Sequence, residues 1–403
     1  MPDRSPSTTP ANQAVNQAAT PDALVIGAGP GGLAAAAAMR QRGVRPLVVE
    51  RAEQLGASWR GHYDRLHLHT TRRLSSLPGL RIPRAYGRWV GRDDVVRYLE
   101  AYAEHHALDI ATGITVDRID RGGNGDGDGD GWEMPATGGR VLRSPVVVVA
   151  TGHNHTPYIP DWPGRDAFPG ELLHAARYRN PAPYAGRDVL VVGVGNTGAE
   201  IAVDLVEGGA SRVRLAVRTA PHIMRRSTAG WPAQASGILV RRLPPFLVDK
   251  VAPRVERLSV PDLSQYGLPR PQTGLYARVL EGAIPVQDVG LIAAVRSRRV
   301  EIVAAVEGFE DGEVLLADGT RIAPDAVIAA TGYRRGLEPL VGHLGVLDGR
   351  GRPVAHGARQ PAGARGLFFT GFTNPISGML REMAIDSRKI AAAAARLLVS
   401  LPS

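Results

Sequence analysis

Two glycine triplets carry the first chemical signal in this sequence. Gly27, Gly29 and Gly32 stand in GAGPGG, and Gly193, Gly195 and Gly198 stand in GVGNTG. Alone, G-x-G-x-x-G is a weak pattern. Here each copy follows a short apolar strand, Ala23 to Ile26 or Val189 to Val192, and opens a helix, the context that makes it a dinucleotide-binding turn. One glycine permits the tight turn, one lets backbone approach a diphosphate, and one lets the helix pack on the strand. The diphosphate rests on the unpaired N–H groups and positive end of the helix. The residue that closes the next strand, about 20 positions on, distinguishes the dinucleotides. Glu50 ends PLVVE, and a carboxylate there accepts from a ribose 2′-hydroxyl and repels a 2′-phosphate. Arg218 ends VRLAVR, and a guanidinium suits a 2′-phosphate through a charge-assisted, often bidentate contact. The first site therefore fits FAD or NAD and the second fits NADP. With FAD in one and NADPH in the other, the chain is a flavoprotein that takes hydride from NADPH.

The elements around these residues occur twice. The first turn leads into LAAAAAMRQR, stopped by Gly43, and then PLVVE; the second leads into AEIAVDLVEGG and then VRLAVR. Both units end on a buried strand that runs into Ala-Thr-Gly, at Ala150, Thr151 and Gly152 and again at Ala330, Thr331 and Gly332. Ala150, Thr151 and Thr331 are accordingly candidate cofactor contacts. Turn-rich β segments precede both. The alternating Asp of GGNGDGDGDG (122–131) suggests a calcium loop, but position 12 from Asp126 is Thr137, not the bidentate Glu an EF-hand requires, so a hairpin loop is expected. Residues after Tyr333 have no module left to complete and return to the first domain, with GFTNPISGMLREMAIDSRKIAAAAARLL as a loop and closing helix. The expected fold is α/β, two Rossmann-like dinucleotide-binding domains with the NADPH domain inserted in the FAD domain. Its parts are a disordered tail at 1–21, the first part of the FAD domain at 22–158, the linker and NADPH domain at 159–333, and the FAD-domain return segment with the C-terminal helix at 334–403.

Composition narrows the reaction. The 403-residue chain has no cysteine, which removes thiolate metal sites and dithiol redox chemistry, disulfide reduction included. Electrons from NADPH are left with a protein such as a ferredoxin, a quinone, or dioxygen as acceptor. No apolar run approaches the about 20 residues of a membrane-spanning helix. Residues 1–21 are polar and Pro-rich without a targeting pattern, so the expected location is cytoplasmic. The net charge of +9 comes almost wholly from scattered Arg with no aromatic-rich RNA motif, which argues against nucleic acid. His62, His105, His106, His343 and His356 lack partners at metal-ligand spacing, and no metal is expected. GILVRRLPPFLV (237–248), broken by Pro244 and Pro245, reads as a lid or channel wall.

One further stretch, FPGELLHAARYRN (168–180), is neither a good helix nor a clean strand, because Pro169 and Gly170 sit near its start. It places Phe168, Gly170, His174 and Tyr178 as F-x-G-x-x-x-H-x-x-x-Y. This resembles the fingerprint of class B flavin monooxygenases, and it precedes the NADP glycines as in that family. Tyr178 stands where the Baeyer–Villiger branch typically has Trp. YDRLHLHTTRRLSSLP (63–78), VRTAPHIMRR (217–226), PPFLVDK (244–250), YGLPRPQTG (266–274) and PVQDVG (285–290) resemble segments of the plant YUCCA-type enzymes, and the likeness runs in order over roughly residues 22–395. ATGHNH (150–155) stands where those plant enzymes carry ATGENA.

The resemblance implies an NADPH- and O2-dependent monooxygenase. In such an enzyme a C4a-(hydro)peroxyflavin oxygenates a small organic substrate, by heteroatom oxygenation or by oxidative decarboxylation of a 2-oxo acid. It also implies residue roles. Trp59 packs by the flavin, Leu66 and Thr70 of RLHLHT lie along it, Arg51 joins Glu50 among the FAD contacts, and Val116 holds the adenine through its backbone. Asn196 and Thr197 meet NADP at the helix start. His69, with Asn154 as a second candidate, is the catalytic contact to the oxygenated flavin. His174 and Tyr178 set how the two nucleotides face each other rather than acting as acid and base. The alternatives are a flavin NAD(P)H reductase that passes electrons to a protein or quinone, which would not need the fingerprint, and Baeyer–Villiger oxygenation of a ketone.

Overall fold

The computed structural model describes residues 20–123, 131–228, 230–240, 244, 249–250, 260–280 and 282–401. The chain begins with β1 (Ala23–Ile26), α1 (Pro30–Arg40) and β2 (Pro46–Val49). α2 (Arg92–His105) crosses to β3 (Asp109–Ala111). An antiparallel unit follows, β4 (Asp120–Arg121), β5 (Trp132–Ala136) and β6 (Arg140–Ser144), and β7 (Val147–Val149) then enters beside β1. The second half runs β8 (Glu171–His174), β9 (Asp188–Val192), α3 (Asn196–Glu207), β10 (Arg212–Ala216) and β11 (Val300–Val303). Its own antiparallel unit is β12 (Val306–Glu310), β13 (Glu313–Leu316) and β14 (Arg321–Ile322), followed by β15 (Ala326–Ala329). The chain then returns with β16 (Leu367–Phe369) and α4 (Met379–Val399).

Two parallel five-stranded sheets result, in the orders β16-β7-β1-β2-β3 and β11-β10-β9-β15-β8. Their central strands, ALVI, VVV, DVLVV and AVIA, are buried along almost their whole length, as strands covered on both faces must be. The halves match element for element. β1 pairs with β2 and β7 (Leu24↔Leu47 and Leu24↔Val147), and β9 pairs with β10 and β15 (Val189↔Val213 and Val189↔Ala326). The second Rossmann-like unit is inserted in the first, because the fifth strand of the first sheet, β16, comes from beyond the end of the second. β8 holds beside β15 the place that β16 holds beside β7.

β8 corrects one expectation. Four residues of FPGELLHAARYRN form an edge strand, in register Ala326↔Glu171 to Ala329↔His174. The Pro and Gly before it mark where the strand starts, and its partner lies too far along the chain for local pattern to reveal the pairing. The hairpin reading of 122–131 holds at its flanks, since Asp120 pairs with Glu133 and Arg121 with Trp132 across it. Its tip (124–130), the tail at 1–19 and most of 237–248 lie outside the described residues.

α1 begins at Pro30, whose missing N–H costs nothing in a first turn. Its run of Ala is buried, and small side chains let α4 lie close along it through Ile390, Ala391 and Ala394, all fully buried. The halves are joined by two short segments that pair antiparallel, Thr156–Pro157 with Tyr333–Arg334, and the Arg334 guanidinium lies 4.5 Å from the Tyr158 ring centroid. Among the described residues, no helix is long and apolar enough to cross a membrane.

Candidate active site

The glycine turns are duplicated in geometry as well as in sequence. Gly27 (φ 105°) and Gly193 (φ 104°) lie in the left-handed region, and a Cβ on either would press on the next strand's exit, 2.6 Å from the Ala150 carbonyl oxygen or 2.7 Å from that of Ala330. A Cβ on Gly32 or Gly198 would lie 1.9 Å from the carbonyl oxygen of Gly27 or Gly193, so the third glycine sets how closely helix meets strand. Gly29 and Gly195 differ. A Cβ on either would meet no protein atom within 4 Å. Each is the N-cap of its helix, and neither offers a capping side chain to the first-turn N–H groups. Both turns thus hold open a space that a Cβ would fill, over donors without partners, as a dinucleotide diphosphate requires.

The residues around each turn fit the nucleotides read from the sequence. Glu50 follows β2; its Oε2 accepts from Ala28 N–H (2.8 Å) and its Oε1 from Ala52 N–H (3.0 Å), which fixes the carboxylate beside the turn with lone pairs to spare. Val116 forms an isolated antiparallel bridge with Ala136, flanked by bonds from Asp117 N–H to Pro135 and from Thr137 N–H to Thr115. In that arrangement Val116's own N–H and C=O point away from the partner strand, and no hydrogen bond among the described residues uses them. The Thr151 and Thr370 hydroxyls are buried without partners on either side of the first turn: the Thr151 backbone abuts Gly27, and the Thr370 methyl lies by Gly31. Thr331, by contrast, gives its hydroxyl to the Tyr158 carbonyl, and Thr70 shares a 2.7 Å bond with Ser75.

Trp59 is half-buried against the first core, and Leu66 packs against the second. Arg51 Nη1 lies 2.9 Å from His155 Nε2, and burial, then the charge of Arg51, pulls the His155 imidazole below its usual pKa. Asn154 is exposed in the loop after β7. Arg218 is exposed just past β10 and, among the described residues, makes no ion pair or hydrogen bond. The Asn196 side chain faces the 285–290 segment, accepting from Gln287 N–H (2.7 Å) and donating to the Pro285 carbonyl (3.3 Å), so what Asn196 and Thr197 offer a ligand is the helix start.

Between the two turns lies a polar seam built on one face of α3. Glu200, Asp204 and Glu207, at helical spacing, all meet the 63–69 segment of the first domain. Tyr63 donates to Glu200 Oε2 (3.0 Å), Arg65 Nη1 meets Asp204 (3.2 Å) and Glu207 (2.9 Å), and His69 Nε2 lies 2.8 Å from Glu200 Oε1. Glu200 is only 4% exposed, and Tyr63 is buried inside the second domain's core. Burial, then the Glu200 charge, holds the Tyr63 phenol well above its usual pKa, so it stays a donor. Glu200 Oε1 engages His69 Nε2, and the ring's other nitrogen, Nδ1, is buried without a partner.

The fingerprint closes the same seam. Phe168 packs on Phe309 (5.2 Å between ring centroids), and a Cβ on Gly170 would collide with Phe168 and the Asp325 carbonyl. His174 accepts from Ala176 N–H through Nδ1 (3.0 Å) and donates to the Gly332 carbonyl through Nε2 (2.9 Å), and burial lowers its pKa, so it is a neutral strut for the second Ala-Thr-Gly turn. Tyr178 donates to Asp204 Oδ2 at 2.7 Å, a bond to a charged acceptor worth about 1.5–3 kcal/mol. Asn180 donates to Asp64 in the first domain (3.0 Å). Sequence reasoning missed Tyr63, Glu200, Asp204, Arg226 and Gln287. The available signal was the acidic face of α3, where Glu200, Asp204 and Glu207 recur at helical spacing, although such a face by itself reads as solvated.

The flavin-binding monooxygenase-like family model matches residues 22–340. The chain is 36% identical over 357 residues to indole-3-pyruvate monooxygenase YUCCA1 of Oryza sativa subsp. japonica, covering 88% of this chain and 87% of that one. A flavin-containing monooxygenase from Stenotrophomonas maltophilia superposes with a TM-score of 0.69 at 25% identity, over 93% of this chain and 98% of the other. Cyclohexanone monooxygenase shares the fold, with a TM-score of 0.72 at 19% identity, over 94% and 88% of the two chains.

Proposed function

This chain belongs to the flavin-binding monooxygenase-like family, and from that premise we propose that it uses NADPH and dioxygen to decarboxylate a 2-oxo acid oxidatively. The observation that carries this reading is the likeness, over most of the chain, to plant indole-3-pyruvate monooxygenases. The reaction balances as 2-oxo acid, NADPH, proton and dioxygen giving the acid one carbon shorter, carbon dioxide, NADP⁺ and water. One oxygen atom enters the new carboxyl group and the other leaves as water.

Bound FAD would supply the redox chemistry, hydride acceptance from NADPH and activation of dioxygen. The chain's own work is binding, orientation and shielding. The α1 start would hold the FAD diphosphate, with Glu50 to receive the ribose and the Val116 backbone the adenine, while Thr151 and Thr370 offer buried hydroxyls beside the turn. The α3 start would hold the NADPH diphosphate, and Arg218 would take the 2′-phosphate. Glu200 fixes the ring of His69, leaving Nδ1 as the nitrogen that faces the seam without a protein partner. Tyr63 and Leu66 reach from the first domain into the second core and close the seam to water on that side. His174 and Tyr178 hold the second Ala-Thr-Gly turn and α3 in place, and so set the distance between the two nucleotides.

A substrate panel tests the reading. With FAD-loaded enzyme, indole-3-pyruvate or phenylpyruvate is expected to stimulate NADPH consumption at least about tenfold over the rate without substrate, a factor worth about 1.4 kcal/mol of barrier. A sulfide, a tertiary amine or a cyclic ketone is expected to do so far less. Stimulation by one of those classes alone would replace the 2-oxo acid with that class.

A further inference from the structure

We infer that Arg226, at the seam between the two domains, binds the carboxylate of the substrate, an inference that rests on the 2-oxo acid reading above. Its guanidinium is pinned on two sides. Nη2 donates to the Leu68 carbonyl (2.9 Å), one residue before His69, and the guanidinium carbon lies 4.3 Å from the Trp89 ring centroid. Nε is buried and has no partner. The acid whose charge reaches Arg226 is Glu200, but its two oxygens are engaged by His69 and Tyr63, and among the described residues Arg226 forms no ion pair. Burial pulls its pKa down, the mark of a cation short of a counter-charge. Uncompensated burial of a charge is costly, and an anion in the seam would offset it.

Two neighbours point the same way. Met224 pairs with Gln287 across a short parallel ladder that ends at Arg225 and Asp288, so Arg226 directly follows the strand paired with the segment that carries Gln287. Gln287 Oε1 and His69 Nδ1 are both buried without partners. A 2-oxo acid presents a carboxylate next to a carbonyl, which calls for one fixed cation and adjacent polar atoms that can hold a hydrogen-bonded network. Two other arginines, Arg218 and Arg335, do not fit this role. Arg218 is exposed beyond β10, where the NADP 2′-phosphate is expected, and Arg335, also with a buried unpartnered Nε, has Asp348 and Glu338 as nearby counter-charges.

The test is binding, which does not depend on turnover. Phenylacetate and its uncharged analogue phenylacetamide are titrated into enzyme loaded with FAD and NADP⁺, and the bound flavin's absorbance reports occupancy. Wild type is expected to prefer phenylacetate by about 10-fold or more, in line with a charge-assisted bond. Arg226→Met is expected to abolish that preference, and Arg226→Lys, which keeps the charge with little change in bulk, to retain part of it. Equal binding of the two probes by wild type, or a preference that survives in Arg226→Met, would overturn the inference. So would a loss confined to NADP⁺ affinity. If no 2-oxo acid stimulates NADPH consumption yet the preference and its loss are seen, the decarboxylation reading fails while Arg226 stands as an anion site.

Discussion

Gly32→Ala is expected to yield no stable FAD-loaded protein. The added Cβ would stand 1.9 Å from the Gly27 carbonyl oxygen, and neither atom can turn aside, because the Cβ is fixed directly to Cα and the oxygen belongs to the backbone of the same tight turn. Relief requires α1 to move away from β1. That helix is buried from Gly31 to Met39 between the sheet and α4, so the movement disturbs the largest core of the first domain. Overpacking typically costs about 1–3 kcal/mol, and a Cβ driven into a backbone oxygen belongs at or beyond the upper end. Gly29→Ala separates fold from ligand. Its Cβ would meet no protein atom within 4 Å and its backbone is extended, so the apo-protein should melt as wild type does. Yet the methyl would fill the space over the α1 amides, and the flavin-to-protein absorbance ratio should fall sharply. If Gly29→Ala binds FAD as tightly as wild type, the diphosphate does not lie in that space.

Arg218→Ala should produce the second large effect, on cofactor choice. The side chain is exposed and, among the described residues, unpaired, so its loss should leave the melting temperature nearly unchanged, as surface changes within about 0.5 kcal/mol do. A hydrogen bond to a charged partner is worth about 1.5–3 kcal/mol, so KM for NADPH should rise roughly 10- to 100-fold. KM for NADH, which has no 2′-phosphate, should move less than about threefold on the same reasoning. A parallel rise for both cofactors would place the phosphate elsewhere.

These two sites were legible in the sequence because they are local. A strand, a glycine turn, a helix and the residue at the next strand's end lie within one short stretch, and steric demand fixes each glycine. The return of the chain to the first sheet was legible by elimination, since nothing after Tyr333 could complete the second unit. The connective role of His174 and Tyr178 came from the resemblance, and their bonds to Gly332 and Asp204 give it a physical basis. The seam was not legible. His69 was read as a contact to oxygenated flavin, and the structure adds that its Nε2 is occupied by Glu200, leaving only Nδ1 to face a ligand. That pairing joins a loop of one domain to a helix of the other. Arg226 was passed over for a related reason: in an Arg-rich chain, a missing counter-ion cannot be seen from composition. β8 went unrecognised because an edge strand of four residues between a Pro-Gly pair and a 3₁₀ turn has too little pattern of its own.

The most direct test of the central claim follows the oxygen atoms. FAD-loaded enzyme is given NADPH, phenylpyruvate and isotopically labelled dioxygen, with catalase present because hydrogen peroxide alone decarboxylates 2-oxo acids. The account predicts carbon dioxide and phenylacetate in step with NADPH consumed, the phenylacetate carrying a single labelled oxygen. NADPH consumption that yields only peroxide, or that runs fastest with a quinone or protein acceptor and leaves phenylpyruvate intact, would contradict it.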